Sequence, residues 1–497
     1  MKVHVADGPF NSAKDEKAHS PRLTVRVVLT AILAVLGGGF HFGFQISIIN
    51  PMAEILQSFL LENFHRRYSF TLSQSDLSLI WSTIAGSLFI GAAFGAYIMS
   101  KLLDHRGPKF GILCSAMVLF VCAPMAGISH LLASPELFVL SRLFCGMGVG
   151  MGTTAQGVFL TEISPVAYRG VISSFGGFST NIGFIFASAL GLPTVLGTKT
   201  SWPYAYYLEA IPCLLLIVAN LCWFRDSPVY LLRKGDEKGT NKALEAYCGS
   251  DAGPREMERV ANEVKTYTTG GEIKWDRAAR RALMLSLTLN VVVSFSGILA
   301  VSFFGTFLLQ SIGFTDYTAS LANCLSGLSG TLGAVVGTFA LDRLGRRLLV
   351  LGSLLLLATV NTSMMLLVYY FNYTKETWIG WGFLALFIVF LFLFSAGIGP
   401  TAWFLGAELS PAGCRAKMQS MSVAAQYISC FLSPIIYYPL NASIGASSFL
   451  VFILPLTLSA IYFHRNLPET KGRTTEEIVA ILNQTEVKKL KQDVSDA

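Results

Sequence analysis

Two acid–turn–base motifs carry the most telling chemistry in this chain, and each occurs twice. Glu162-Ile-Ser-Pro-Val-Ala-Tyr-Arg169 returns 246 residues later as Glu408-Leu-Ser-Pro-Ala-Gly-Cys-Arg415. Leu103-Asp-His-Arg-Gly-Pro-Lys109 returns after 238 residues as Leu341-Asp-Arg-Leu-Gly-Arg-Arg347, and Asp226-Ser-Pro228 has a looser echo in Pro468-Glu-Thr470. Gly107 and Gly345 permit a tight turn three residues after Asp104 and Asp342. Carboxylates and guanidiniums spaced this way form ion pairs between neighbouring helix ends. The plainer reading is basic anchoring at a membrane face together with solvated loop charge. Repetition of acid, turn and base favours a latch that joins two halves on one face and breaks when the other face closes. Its members are Asp104, Arg106, Lys109, Glu162, Arg169, Asp226, Asp342, Arg346, Arg347, Glu408, Arg415 and Glu469. No phosphate loop, zinc spacing or nucleophile constellation stands where it could work, so neither an enzyme nor a cofactor is expected.

The elements that must position these motifs are membrane helices. Of 497 residues, 53% are hydrophobic and only 13% charged, about half the charge that covers a soluble domain. A bilayer core about 30 Å thick needs roughly 20 apolar residues per helix. Twelve stretches qualify: spans 1–6 at 24–49, 78–102, 110–132, 136–161, 171–196 and 203–224, and spans 7–12 at 282–310, 317–341, 347–371, 378–404, 418–440 and 444–464. The offsets of the repeated motifs pair span with span, so the chain reads as two homologous six-helix bundles. The units are a tail at 1–23, a bundle at 24–224, a polar loop with short helices at 225–281, a bundle at 282–464 and a tail at 465–497. The first 23 residues are polar, and the apolar run after them is too long for a signal-peptide core. Nine scattered cysteines with no CxxC imply neither a disulfide framework nor a zinc site.

Lys and Arg in the connections orient the chain. One face collects 32 of the 37 basic residues; only Arg66, Arg67, Lys199 and Lys375 fall on the other, and Arg142 lies inside span 4. Both termini are therefore expected in the cytosol. The net charge of +7 is a topology signal and not a nucleic-acid footprint. Sequons at Asn372 and Asn441 fall in connections expected outside, where acceptors must lie, whereas those at Asn361 and Asn483 do not. The lipid bilayer is the one macroscopic partner implied, with the plasma membrane preferred because no retention signal is evident.

Leu341-Asp-Arg-Leu-Gly-Arg-Arg347, Pro468-Glu-Thr-Lys-Gly-Arg-Thr474 and Trp403-Phe-Leu-Gly-Ala-Glu-Leu409 resemble the sugar porters of the major facilitator superfamily, the animal facilitative hexose transporters above all. Ser141-Arg142, Arg169-Gly170, Ser227-Pro228 and Ser296-Gly297-Ile298 extend the likeness over all twelve spans. The resemblance implies an all-α fold that alternates access to a midplane site, with hexose as the default cargo and Arg142 joined to the cytosolic charge network. Several positions that hydrogen-bond the sugar in that family are replaced here: Val293 and Ser294 stand for two glutamines, Gly177 for another, Leu299 and Gly330 for asparagines and Ser395 for a glutamate. Phe303-Phe304 replace a tyrosine pair, and Gln426 and Cys430 replace two asparagines.

Each unpaired hydroxyl in a dry site costs roughly 1–3 kcal/mol, so other groups must compensate if a sugar is bound. The candidates are His41 and Gln45, one turn apart on span 1; Thr180 and Asn181; Asn290 and Ser294; Gln426; and Trp403 as an aromatic floor. His41 is also a candidate for proton handling or for packing, as is Glu209, the one acid deep in a span. Span 1 carries no acid, which favours uniport. The alternatives are the same fold carrying a polyol or a urate-like organic acid, and a sensor that has lost turnover.

Overall fold

The computed structural model describes residues 23–69, 73–165, 168–249, 254–268, 277–409, 415–471, 477–478 and 480–483; the side chains of Asp342 and Arg415 lie outside the described set. The architecture is all-helical, with two bundles of six membrane-crossing passes. In the first bundle spans 2–5 are Gln74–Arg106, Pro108–Leu131, Pro135–Ile163 and Arg169–Leu190. In the second, spans 8 and 9 are Asp316–Leu344 and Arg346–Thr374, and spans 11 and 12 are Arg415–Ile444 and Leu450–Asn466. By length and hydropathy, eleven stretches are long and apolar enough to cross a membrane, the last being Met418–Asn466 with 49 residues. At about 1.5 Å per residue that stretch is more than twice a bilayer core. Gly445 at φ +56° and a 3₁₀ turn at Gly445–Phe449 divide it, so it makes two passes.

Local chemistry sets the helix ends. Pro108 and Pro135 occupy first-turn positions, where a missing N–H is harmless. Ser73 and Asp76 cap each other at the start of span 2. Gly107 and Gly345 adopt φ +79° and +85°, so the same left-handed turn joins spans 2 and 3 and spans 8 and 9. Helices outside the spans include Ala53–Tyr68 after span 1, which the hydropathy reading did not anticipate, and Pro228–Arg233, Glu237–Cys248 and Pro254–Thr268 between the bundles.

Spans 1, 7 and 10 are not continuous. Span 1 runs Val25–Ala34, a π turn at Leu36–Phe40, then His41–Ser47. Within that turn Gly38 and Gly39 bring backbone against backbone: a Cβ on them would meet the Gly152 carbonyl carbon of span 4 at 2.8 Å and that of Gly176 of span 5 at 3.3 Å. Span 7 breaks between Arg277–Ser294 and Ile298–Gln310 at Gly297, φ +101°. Span 10 breaks at Gly397, between Thr377–Ala396 and Ile398–Leu409. Span 6 is interrupted more gently, between Trp202–Leu208 and Ala210–Cys222, beside Glu209. The bundles meet where span 2 packs on span 11 and span 5 on span 8.

Candidate functional site

Broken helices free backbone groups, and inside a membrane those groups need partners from protein or from a water-lined cavity. At the span 7 break, Asn361 Nδ2 donates to the Ser296 carbonyl at 3.1 Å. A second irregularity lies at Phe304, whose φ of −128° interrupts the same span. There the partner comes from the other bundle. Asn50, at the end of span 1, accepts from the Thr306 amide at 2.9 Å and donates to the Val301 carbonyl at 3.3 Å. Phe303 meets Phe89 of span 2 with ring centroids 5.9 Å apart, and a Cβ on Gly86 would touch Phe431 at 2.9 Å. On the face opposite the basic loops, the two bundles are therefore sealed.

Toward the basic loops the seal ends. Thr153 of span 4 reaches Tyr427 of span 11 at 3.3 Å, one hydroxyl donating to the other. Gly157, one turn further along the same face, has nothing within 4 Å of where a Cβ would stand. Span 5 repeats the pattern in the reverse chain direction. Asn181 touches Gly330 of span 8, and Gly177, one turn nearer the basic face, again has nothing within 4 Å. On two separate helices, contact at the middle thus gives way to open space toward the basic face, a gap on that side.

Of the eight residues expected to touch a solute, Asn181 lies where contact gives way to this gap. Asn181 Nδ2 donates to the Gly177 carbonyl at 3.1 Å, and its oxygen has no hydrogen-bond partner among the described residues. Asn290 Nδ2 donates to the Ser286 carbonyl at 2.9 Å, and its Oδ1 and the Gln426 Oε1 have no partner among the described residues. Ser294 is buried and bonds the Gln426 carbonyl at 3.2 Å and Cys430 Sγ at 3.1 Å. Thr180 returns its hydroxyl to the Gly176 carbonyl at 3.0 Å. Trp403 is 40% exposed, and its carbonyl takes a 2.8 Å bond from Gln419 Nε2.

His41 and Gln45 go elsewhere. Both are fully buried and point into the first bundle, not the gap. His41 Nδ1 lies 2.9 Å from Glu209 Oε1, and Gln45 Nε2 donates to Glu209 Oε2 at 2.7 Å. The other His41 nitrogen faces Cys213 Sγ at 3.1 Å. Arg142 Nη1 completes the group, donating to Gln45 Oε1 at 2.7 Å and to its carbonyl at 2.6 Å. This corrects the expected place of Arg142 in the basic-face network. Span 4 enters from the opposite face, so Arg142, seven residues after Pro135 and 20 before Glu162, is more than three turns of chain closer to that face than to the motif at Glu162. It is 1% exposed, so it does not snorkel to an interface.

The basic-face charges pair within each half. In the second half Glu469 accepts from the backbone amides of Arg346 at 2.9 Å and Arg347 at 3.1 Å, capping the first turn of span 9. Glu408 binds Arg346 Nη2 at 3.2 Å and the Thr470 hydroxyl at 2.8 Å. Partial burial opposes the charge on Glu469, but the amides of Lys471, Arg346, Arg347 and Thr470 outweigh it and hold its carboxyl below the usual range. In the first half Glu162 accepts from Ser227, and Arg169 pairs with Glu263 at 2.7 Å and not with Glu162. Asp104 meets Arg233 at 3.5 Å, and Arg106 lies over the Phe110 ring. Burial raises the Asp226 carboxyl despite nearby Lys109. Among the described residues these charges pair within each bundle or with the central helices; the expected latch between halves is not formed in this state, which is open on the basic face, and its members Asp342 and Arg415 lie outside the described side chains. Asn50, Gln419 and Cys213 were missed by the sequence reading. An amide beside Pro51 at a span end was the available signal for Asn50, and no sequence signal marked the others.

A family model described as "Sugar (and other) transporter" matches residues 30–482. The mouse protein named solute carrier family 2, facilitated glucose transporter member 7, is 26% identical over 466 residues, covering 92% of this chain and 90% of the mouse protein. The horse member 5 is 26% identical over 465 residues, covering 92% of each chain. Among solved structures, the partially occluded inward open conformation of the xylose transporter XylE from E. coli superposes with a TM-score of 0.76 at 20% identity, over 91% of this chain and 100% of that one. The proton:xylose symporter XylE bound to 6-bromo-6-deoxy-D-glucose gives 0.74 at 21% identity, over 92% and 99%. The fold is that of the major facilitator superfamily.

Proposed function

From the chain's membership of the sugar transporter family, we propose that it is a facilitative carrier, moving a small sugar down its gradient by alternating access. The observation that carries this reading is the asymmetry of the interface. The Asn50 bonds seal one face, while the open space at Gly157 and Gly177 begins one turn beyond the last contacts. Two bundles that rock about such a middle layer expose it to one face at a time. The basic face is the cytosolic one, by the excess of Lys and Arg there, with both termini on that side and the plasma membrane as location.

Uniport is favoured because Gln45 occupies the place in span 1 where an acid would face Arg142 and Glu209. Asn372 is exposed at the end of span 9 and is the better glycan acceptor; the Asn441 side chain already takes a 3.0 Å bond from Ser448. The test is counterflow in proteoliposomes with labelled hexoses, pentoses, polyols and urate. Saturable exchange of a sugar supports the reading, exchange of urate alone redirects it, and silence from a folded protein points to a sensor. Collapsing an imposed pH gradient should leave uptake unchanged; a proportional fall would assign a proton to the His41–Glu209 pair.

A further inference from the structure

We infer that Asn181 is a specificity-determining residue, presenting one hydrogen-bond acceptor from the first bundle where span 8 of the second bundle, at Gly330, offers no side chain of its own. The inference rests on the transport reading above. The 3.1 Å bond from Asn181 Nδ2 to the Gly177 carbonyl fixes the amide's orientation, because only the NH₂ end can donate to a carbonyl. The oxygen therefore points across the interface. A Cβ on Gly330 of span 8 would lie 2.9 Å from that oxygen and 3.3 Å from the Ser395 hydroxyl of span 10. Gly330 thus leaves the space that Asn181 enters, and any larger residue would contest it. Gly177, one turn toward the basic face, opens on empty space, so the oxygen stands where bundle contact ends and the gap begins.

The chemistry of the group read there follows from what surrounds it. A free amide oxygen takes an O–H or N–H and gives nothing to a carboxylate or another anion. The buried Arg142 and His41 of the first bundle face Gln45 and Glu209 and not this oxygen. Glu209, which could receive an ammonium, is held by Gln45 and His41. A neutral hydroxyl is the remaining donor, and a hydroxyl placed between Asn181 and Ser395 touches both bundles at once. What matters on this account is where the amide sits, not which helix carries it.

The test moves the amide across the interface. Counterflow of radiolabelled D-glucose, D-fructose and D-xylose is measured for wild type, Asn181→Ala, Gly330→Asn and the double variant, each checked for monodispersity and thermal unfolding in detergent. For the sugars that wild type exchanges, Asn181→Ala is expected to raise KM about tenfold, or about 1.4 kcal/mol, with kcat within about twofold. Gly330→Asn alone is expected to weaken exchange as well, because two amides compete for one space. The double variant should return KM to within about threefold of wild type. Asn181→Leu, close to Asn in size, replaces Asn181→Ala if that protein does not fold. A double variant no better than its worse parent, or an unchanged KM in Asn181→Ala, overturns the assignment while the transport reading stands. A folded wild type that exchanges none of the three sugars overturns both.

Discussion

The two halves descend from one repeat and share their helices, turns and span lengths, yet they place charge differently. The first half buries an ionic group in its interior: Arg142, Gln45, Glu209 and His41 are each at most 1% exposed. The second half keeps its interior neutral, with Ser294, Asn290, Asn361 and a run of phenylalanines, and concentrates ionic contacts at the basic edge around Glu469, Arg346 and Glu408. One cause is local. Glu469 can cap span 9 because Arg346 and Arg347 both offer N–H groups, whereas the matching turn of the first half begins with Pro108, which has none. The lesson is that a duplicated frame leaves each copy free to choose where its polar contacts go, provided each buried group finds a partner.

The sharpest way to break this comparison is inside the first half. Arg142→Leu leaves the side-chain and backbone oxygens of Gln45 without their donor, and each buried polar group stranded in this way costs about 1–3 kcal/mol. Ser294→Ala at similar depth in the second half removes a neutral hydroxyl worth about 1 kcal/mol. Thermal unfolding in detergent should separate the two clearly, and equal losses would mean the buried group contributes little. Next comes the seal between the halves. Asn50→Ala leaves the Thr306 amide unbonded, costing the sealed state about 1–3 kcal/mol and shifting the population toward opening on that face. Spin-label distances between the ends of spans 1 and 7 would report the shift; an unchanged distribution would assign Asn50 to packing alone.

At the basic edge the expected effects are smaller and of opposite sign. Glu469→Gln should lower stability by about 1 kcal/mol, as the loss of a helix cap does. The Glu469 carboxyl is held low, so its contribution is present above the ordinary carboxylate range and is lost as pH falls through its depressed value. The Asp226 carboxyl is held high, so the folded state keeps its proton longer than the unfolded chain, and stability falls as pH rises through that window. Asp226→Asn should therefore be neutral or stabilising at pH 7. Unfolding curves of both variants between pH 4 and pH 8 check the signs (an order-of-magnitude window around carboxylate titration). The smallest effect is expected at Asp104, whose side chain is 69% exposed. Asp104→Asn should stay within about 0.5 kcal/mol, and a larger loss would show that the first half's edge is more than a solvated pair.

Much of the frame was legible before any coordinates. Span lengths, the repeat and the turns at Gly107 and Gly345 are properties of contiguous residues, each readable from a window of chain. The breaks in spans 1, 7 and 10 were not, since Gly37–Gly39, Gly297 and Gly397 lie in runs as apolar as their neighbours. Of the expected solute contacts, Asn181 stands where contact between the bundles gives way to open space. His41 and Gln45 share a helix face as their spacing requires, but the spacing does not say which way that face turns. Arg142 was assigned to the wrong depth because a motif's likeness was followed where the direction of span 4 points the other way.

Composition and apolar run length therefore determined that this chain spans a membrane twelve times, because the cost of exposing polar backbone to lipid acts on each segment separately, and the repeated motifs determined that it does so as two related bundles. Only the tertiary structure decided which polar groups meet. Glu209 finds His41 across 168 residues of chain, and Arg142 finds Gln45 across 97. Such pairings depend on the rotation and depth of whole helices against one another, which a pattern read along one helix leaves open.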